Sequence, residues 1–333
     1  MINKKRIALV FFVCIGVLIL TFLLCVSLGS TDADISSAVK SLISGNFNNS
    51  DLRIFLYVRL PRCIGAVLSG AALAVSGVLI QAVLNNPMAS PNIIGVNSGA
   101  GFAVILIVAL FPDYLAIIPA AAFSGALLSC IIIYAISRFT GAGKITITLV
   151  GIAVTSIINA ALNAVKTFFP DSVYNFTSFS VGGLAGVNMR ILMYAFPGIV
   201  ACIAVSVLFS RNTDIICLGE DAALNLGMNV KLWKFYLLIL ASALAGCAVS
   251  FAGLLGFVGL VVPHIVRLFT GNRHILLIPL SAILGASFVL LCDLFCRIAF
   301  RPYEIPVGIV LSLIGGIFFV ILILIHRKGS IYD

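Results

Sequence analysis

Apolar runs long enough to cross a lipid bilayer recur along the whole 333-residue chain. A crossing takes about 20 consecutive, mostly apolar residues, and such segments are expected to be helices because lipid cannot satisfy open backbone groups. The breaks between runs, at charges, Pro and Gly clusters, predict ten spans: 7–28, 62–84, 93–111, 115–137, 145–168, 191–209, 232–252, 255–270, 275–298 and 306–326. The sequence therefore predicts an all-α integral membrane protein.

Composition leaves no room for a separate soluble domain. Hydrophobic residues make up 62% of the chain and charged residues only 9%, whereas soluble domains are about 25% charged. Residues 1–333 are therefore predicted to form one transmembrane domain. The first run, 7–28, is longer than the roughly 7–15 residues of a signal-peptide core, so it is predicted to be an uncleaved span.

Basic residues lie mostly in the short loops between spans, where they determine orientation. With a cytoplasmic N-terminus, twelve face the cytoplasm and eight face outward, which predicts that both termini are cytoplasmic. The formal charge of +9 is thus a topology signal and not a nucleic-acid-binding surface. The outward-facing residues of this prediction are Lys40, Arg53, Arg59, Arg62, Lys166, Arg190, Arg297 and Arg301.

The two halves of the chain share short sequence echoes. The Ala-Val-Ser sequence of 74–76 recurs at 248–250, and the pattern that begins with Pro at 91–94 recurs at 263–266. In a ten-span chain these copies lie on helices of opposite direction, as in transporters built from inverted repeats. A weak inverted repeat is therefore predicted.

Small residues and cysteines predict packing rather than chemistry. Small side chains recur at helical spacing in two spans, which allows close helix contact in lipid: Ala66, Gly70 and Ala74, and Gly308, Ser312 and Gly316. The nine cysteines contain no CxxC pair and lie mostly inside apolar spans, so they are interpreted as small buried residues. No metal site is predicted.

One predicted span, 145–168, carries a polar stripe. Its polar residues fall near one helix face at spacings of three, four and seven: Thr148, Thr155, Asn159, Asn163 and Lys166. Polar groups at membrane depth face a bundle interior or an aqueous cavity. The stripe thus predicts a pathway lining, with interhelical hydrogen bonding as the alternative.

Elsewhere, Asp293 and Arg297 lie four residues apart and are predicted to pair, with a proton-relay role for Asp293 as the alternative.

The longest predicted cytoplasmic loop, 210–231, contains an ordered segment. A short helix with two acids in its first turn and a closing glycine is predicted from Gly219, Glu220, Asp221, Ala222, Ala223, Leu224, Asn225, Leu226 and Gly227. A solvated connector has little need for such order, so this segment is predicted to be a partner surface.

The chain contains no complete phosphate-binding loop, no HExxH and no GxSxG, so neither an ATP site nor an intramembrane hydrolase is predicted.

Long motifs resemble a known family. The first half carries Arg59-Leu-Pro-Arg62, the small-residue run 69–77 and the Asn-Pro-Met-Ala-Ser-Pro-Asn stretch that begins 86–101, and the second half carries 256–267 and 304–308. These motifs resemble the FecCD-type permeases, the membrane subunits of type II ABC importers for iron–siderophores, haem and cobalamin. The resemblance covers nearly the whole chain.

This resemblance implies ten helices per subunit, two permease subunits per pore, and a cytoplasmic ATPase that binds ATP and Mg. By matching positions it implies that Gly219 to Gly227 form the coupling helix that docks on the ATPase, and it implies that the helices around 145–168 line the pathway. The polar stripe assigns this lining to Thr155, Asn159, Asn163 and Lys166. It also implies that three outer arginines meet glutamates of an extracytoplasmic substrate-binding protein: Arg59, Arg62 and Arg297.

The sequence adds a physical question about these arginines. Pro61 predicts that the second span begins on the outer side near Arg59 and Arg62. Cations at a helix N-terminus are disfavoured by about 0.3–1 kcal/mol each, so some partner must compensate. A binding protein is one interpretation, and snorkelling to lipid phosphates is the other.

Three functions compete on this sequence: an ABC importer permease, an ion-coupled secondary transporter and a membrane enzyme. Asp293 is the only acid inside a predicted span and lies near its end, and no catalytic constellation is visible, so the permease is favoured. Within the family an iron(III)–siderophore is ranked above haem and cobalamin because it is the commonest substrate. The sequence leaves open whether the pore is a homodimer or a heterodimer.

Overall fold

The computed structural model describes residues 4–29, 34–45, 48–139 and 143–329, and helices are the only regular elements in these ranges. In chain order the helices are α1 Lys4–Ser27, α2 Ile35–Ile43, α3 Ser50–Ile54, α4 Leu60–Val83, α5 Val96–Leu110, α6 Ile118–Phe139, α7 Lys144–Phe168, α8 Ser172–Val181, α9 Met189–Leu208, α10 Ser210–Cys217, α11 Glu220–Asn225, α12 Val230–Ala252, α13 Val258–Thr270, α14 His274–Ile298 and α15 Val307–Gly329. Each of the ten predicted spans corresponds to one long helix of this series, so the all-α prediction is confirmed.

Within the described ranges, eight helical stretches are long and apolar enough to cross a bilayer, while α5 and α13 are shorter. At 1.5 Å per residue, the 15 residues of α5 and the 13 of α13 extend only about 20 Å, less than the roughly 30 Å of a hydrocarbon core. Each begins after a residue in the left-handed conformation, Gly95 (φ 73°) for α5 and Phe257 (φ 64°) for α13. The Asn97 side-chain amide donates to the Leu255 carbonyl oxygen over 3.4 Å and so joins the two helix starts.

The second predicted span begins earlier than its proline suggested. The helical stretch runs continuously over Ser50–Val83, so Pro61 lies well inside it and not in its first turn. Proline lacks an N–H and its ring clashes with the carbonyl four residues earlier in a regular α-helix. The chain accommodates this with a π-helical turn at Phe55–Arg59, in which the Leu60 N–H donates to the Phe55 carbonyl oxygen.

Helix α4 is the most buried span and forms the centre of the bundle. It packs most extensively against α14 and α12, and glycine pairs let it approach α14 and α13 closely. A Cβ atom on Gly70 would overlap the Gly285 carbonyl oxygen, and one on Gly77 would overlap the Gly259 carbonyl oxygen. Part of the small-residue stripe on this span therefore serves close helix packing, as predicted.

The packing between the two halves is reciprocal. The first helix of the α4–α6 unit packs on α14, the last helix of the α12–α14 unit, and α12 packs on α6 in return. This exchange is expected for units related by a pseudo-two-fold axis. The echo between 91–94 and 263–266, however, does not mark equivalent positions. Pro91 lies in a 3-10 turn before α5, whereas Pro263 lies inside α13.

Candidate functional site

Arg62 is the centre of a buried charge cluster at one end of the bundle. Its Nε lies 3.0 and 3.1 Å from the two carboxylate oxygens of Asp293, and its Nη1 lies 2.6 Å from Oε2 of Glu304. Arg297 Nη2 lies 2.9 Å from Asp293 Oδ2, so the predicted pair of Asp293 and Arg297 is present. Asp293 is fully buried, and its carboxylate pairs with the guanidinium groups of both arginines. We call this end of the bundle the arginine end.

Arg297 and two further arginines bind the C-terminal end of α1. Arg59 Nη1 donates to the carbonyl oxygens of Val26 (3.2 Å) and Ser27 (2.8 Å). Arg297 Nη1 donates to that of Cys25 over 3.0 Å, and Arg301 donates to that of Gly29. The last carbonyls of a helix have no partners within it and carry the negative end of its dipole. The end of α1 thus supplies hydrogen-bond acceptors and the negative end of a helix dipole to these arginines.

The predicted docking residues are therefore not free surface groups in this chain. Arg59, Arg62 and Arg297 are only 5%, 6% and 2% exposed. Their pairing with a binding protein stays a prediction, since no partner chain is present. Sequence reasoning did not identify Glu304 and the α1 carbonyls as their partners, because these groups are distant in sequence from the arginines.

At the opposite end, α10 and α11 form an elbow, residues 210–227. Asp214 Oδ1 accepts hydrogen bonds from the His274 backbone N–H (3.0 Å) and contacts its Nδ1 (2.6 Å), which ties α10 to the start of α14. The Asn85 amide donates to the Cys217 carbonyl oxygen over 3.5 Å, which ties α10 to the end of α4. Burial raises the pKa of the Cys217 thiol to about 11, so this thiol stays protonated at neutral pH.

The helix predicted at 219–227 is present as α11. Gly219 precedes it with a φ angle of 105° and Gly227 follows it with a φ angle of 79°, and such positive φ angles favour glycine. Glu220 Oε1 lies 2.6 Å from Nζ of the buried Lys234 on α12, whereas Asp221 is exposed. Three leucines around this helix are more than half exposed: Leu218, Leu224 and Leu226. The sequence prediction for 219–227 includes Leu224 and Leu226 but was argued from the acids, and it leaves out Leu218.

Helix α7 presents the predicted polar stripe in two parts. Thr155 faces the start of α5, where a Cβ atom on Gly95 would lie 3.4 Å from its Oγ1, and this oxygen has no hydrogen-bond partner among the described residues. Asn159 and Asn163 are exposed. Lys166 Nζ lies 4.8 Å from the centroid of the Phe176 ring of α8. Only 11% of the most apolar 18-residue stretch of α7 is buried within the chain, which is the lowest share among the eight long spans of the described residues.

The described part of the chain offers no ligand set for a resident metal ion. No group of three or more His, Cys, Asp or Glu side chains in it has the arrangement of a metal site. The features that the described residues do provide are the buried charge cluster at the arginine end, the polar stripe on α7 and the exposed leucines of the elbow.

Comparison with known proteins agrees with this architecture. The FecCD transport family model matches residues 17–325. The chain belongs to the FecCD transport family. The hemin transport system permease protein HmuU of Yersinia pestis is 36% identical over 318 residues, which are 93% of this chain and 95% of HmuU. The Fe(3+)-citrate import system permease protein YfmE of Bacillus subtilis is 31% identical over 322 residues, 96% of either chain.

A solved structure shows the same fold. A metal-chelate type ABC transporter in an inward-facing conformation superposes on this FecCD chain with a TM-score of 0.82 at 25% identity, over 97% of this chain and 99% of the other. The resemblance found from the sequence motifs is thereby confirmed. The chain is a multi-pass membrane permease of a type II ABC importer. The motifs at 59–62 and 304–308 supply three charged residues of the arginine end, Arg59, Arg62 and Glu304.

Proposed function

We propose that this FecCD permease translocates an iron(III)–siderophore complex across the bacterial cytoplasmic membrane, driven by ATP that a separate subunit hydrolyses. The observation that carries the proposal is the near full-length superposition on a metal-chelate type transporter. The names of two relatives, a hemin and a ferric citrate permease, support iron in chelated form as the cargo. Both termini are proposed to be cytoplasmic, which places the arginine end outside and the elbow inside.

The elbow is proposed to contact the ATPase, which would bind ATP and Mg. Apolar side chains exposed to water are unfavourable unless a partner covers them. Leu218, Leu224 and Leu226 are exposed in the same short segment as the exposed acid Asp221. Because α10 is tied to both α4 and α14, a movement of the elbow would reach the centre of the bundle. The pair of Glu220 and Lys234 would keep α11 in a fixed orientation.

A second permease subunit, identical or different, is proposed to face α7. Amide side chains such as Asn159 and Asn163 are costly when they face lipid, and both are exposed in the single chain. A second subunit would enclose them in a water-filled pathway together with Thr155 and Lys166. Cysteines at 159 and 163, in a background without native Cys, should then react with polar maleimides in a nucleotide-dependent manner. Lack of labelling in every nucleotide state would contradict this pathway.

An extracytoplasmic binding protein is proposed to dock at the arginine end. The burial of Arg59, Arg62 and Arg297 restricts how it would do so. Glu304 is the more exposed of the two carboxylates that hold Arg62, so a glutamate of the binding protein would have to displace it. Charge pairs of this kind chiefly set the rate and orientation of encounter, and docking should therefore weaken as salt rises.

The substrate can be tested by reconstitution. Proteoliposomes that contain the permease with its ATPase and binding protein should accumulate a radioactive iron(III)–siderophore, and vanadate should abolish uptake. Haem, whose permease HmuU is a close relative, and cobalamin are the competing cargoes in the same assay. Uptake that persists with vanadate but collapses with the proton gradient would instead indicate an ion-coupled transporter.

A further inference from the structure

A large cleft opens at the arginine end, separate from the polar face of α7. Helices α6 and α9 both pack on α12 but have little packing against each other, so they leave a gap above α12. The cleft has a volume of about 1130 Å³, and none of its lining residues belongs to α7. Phe123 of α6 and Tyr194 of α9 line its walls, while Cys247 and Phe251 of α12 lie at its base. It is therefore an apolar groove between membrane helices.

The cationic group at the rim of this cleft is Arg190. It lies in the first turn of α9, is exposed, and forms no ion pair with any described acidic side chain. Arg62 also lines the cleft, but Asp293 and Glu304 already neutralise it. A cation at a helix N-terminus is disfavoured by the helix dipole, so an anion from outside the chain would stabilise Arg190. Tyr194, one turn further along α9, is 80% exposed, as is typical of aromatic residues at a membrane interface.

We propose that this cleft binds a phospholipid with an anionic headgroup, whose acyl chains fill the groove between α6 and α9. Arg190 binds the headgroup phosphate, and the walls at Phe123, Ile191 and Tyr194 pack against the acyl chains. The groove adjoins the first turn of a membrane span, so both parts of one lipid reach their partners at once. No residue of α7 lines this site, whereas Arg62 and Glu304 of the arginine end do.

The headgroup contact can be tested by native mass spectrometry of the full-length permease. The protein would be titrated with phosphatidylglycerol or with phosphatidylcholine of the same acyl composition. Arg190→Gln should weaken phosphatidylglycerol binding about fivefold, since one basic residue at a membrane surface contributes that much. Phosphatidylcholine binding should weaken less, because choline already offsets the charge of its phosphate. Arg53→Gln is the matched control, because Arg53 is also an exposed arginine without a described ion pair and does not line the cleft.

The acyl-chain contact needs a second variant. Gly198 lines the cleft, and a Cβ atom there would meet Cys247 Sγ at 3.5 Å, an ordinary contact. Gly198→Leu should therefore fold, fill the groove and reduce the binding of both lipids several-fold. Gly16→Leu is its control, because Gly16 faces open space on α1.

Two results would overturn the proposal. One is an unchanged preference for phosphatidylglycerol in Arg190→Gln, and the other is unchanged lipid retention in Gly198→Leu. If Arg190→Gln leaves lipid binding intact but slows capture of the binding protein, then the anion at the rim is a protein carboxylate and the lipid assignment is wrong. Neither result depends on cargo uptake, so a failure here is distinguishable from a failure of the proposed transport function.

Discussion

At the arginine end the charged side chains are buried and paired within the chain, whereas at the elbow an acid and several leucines are exposed. Arg62, Arg297 and Asp293 are at most 6% exposed, while Leu218, Leu224 and Leu226 are each more than half exposed. Buried charges must be compensated inside the chain, because their desolvation costs several kcal/mol each. Exposed leucines instead indicate a surface that is completed by another molecule. The first end is compensated within the permease, and the second is the end proposed to contact the ATPase.

The largest effect is expected from Asp293→Asn. This change leaves Arg297 without its carboxylate and Arg62 with Glu304 alone, and removing one partner of a buried ion pair costs about 3–5 kcal/mol. The melting temperature of the purified permease should fall by on the order of 10 °C. Asp113→Asn is the control, since Asp113 is exposed. If both variants melt at the same temperature, the cluster does not stabilise the arginine end.

A smaller effect, on coupling rather than stability, is expected at the elbow from the pair of Glu220 and Lys234. Glu220→Lys places a second cation beside the buried Lys234, so α11 should turn away and transport per ATP hydrolysed should fall several-fold. Because Glu220 is half exposed, the cost is reduced by solvent screening. Adding Lys234→Glu restores an opposite-charge pair and should recover coupling. A swapped variant that stays uncoupled would show that Glu220 contacts the ATPase directly.

The exposed leucines should contribute to affinity. Leu224→Ser removes apolar surface from the proposed interface and should weaken ATPase association by about 1–2 kcal/mol, which is roughly five- to thirtyfold in Kd. The melting temperature of the isolated permease should not change. Ile43→Ser is the control, because Ile43 is exposed on α2, far along the chain from the elbow. Equal ATPase affinity in the two variants would place the contact elsewhere.

How much of this was predictable depends on sequence distance. The ten spans follow from local apolar runs, and the pair of Asp293 and Arg297 follows from a spacing of four residues. Arg62 meets Asp293 across 231 positions and Arg297 meets Cys25 across 272, and no local pattern specifies such contacts. The start of the second span was predicted wrongly for a local reason, since a π turn lets the helix continue through Pro61. The polar stripe was found as a pattern, but its division between Thr155, whose hydroxyl oxygen is buried, and the exposed Asn159 and Asn163 needed the fold.

The smallest effect is expected from Asp34, an exposed acid that precedes α2. Its carboxylate accepts hydrogen bonds from the Ser36 backbone N–H and hydroxyl, both over 2.9 Å, and these bonds lower the pKa of Asp34. A lowered pKa means that the cap stabilises α2 above the pKa of the unfolded chain, about 3.9, and that this stabilisation is lost as the pH falls through the folded pKa.

Asp34→Ala should therefore raise amide exchange in 36–43 modestly at neutral pH and leave the global melting temperature unchanged. Asp34→Asn keeps a capping side chain without a titrating group, so α2 in this variant should lose its sensitivity to acid. Hydrogen exchange along α2 measures both effects. A large global destabilisation by Asp34→Ala, comparable to that of Asp293→Asn, would mean that loss of a carboxylate destabilises the permease whether or not the carboxylate is buried. A local effect alone would assign the global stability to the buried cluster that joins α1, α4 and α14.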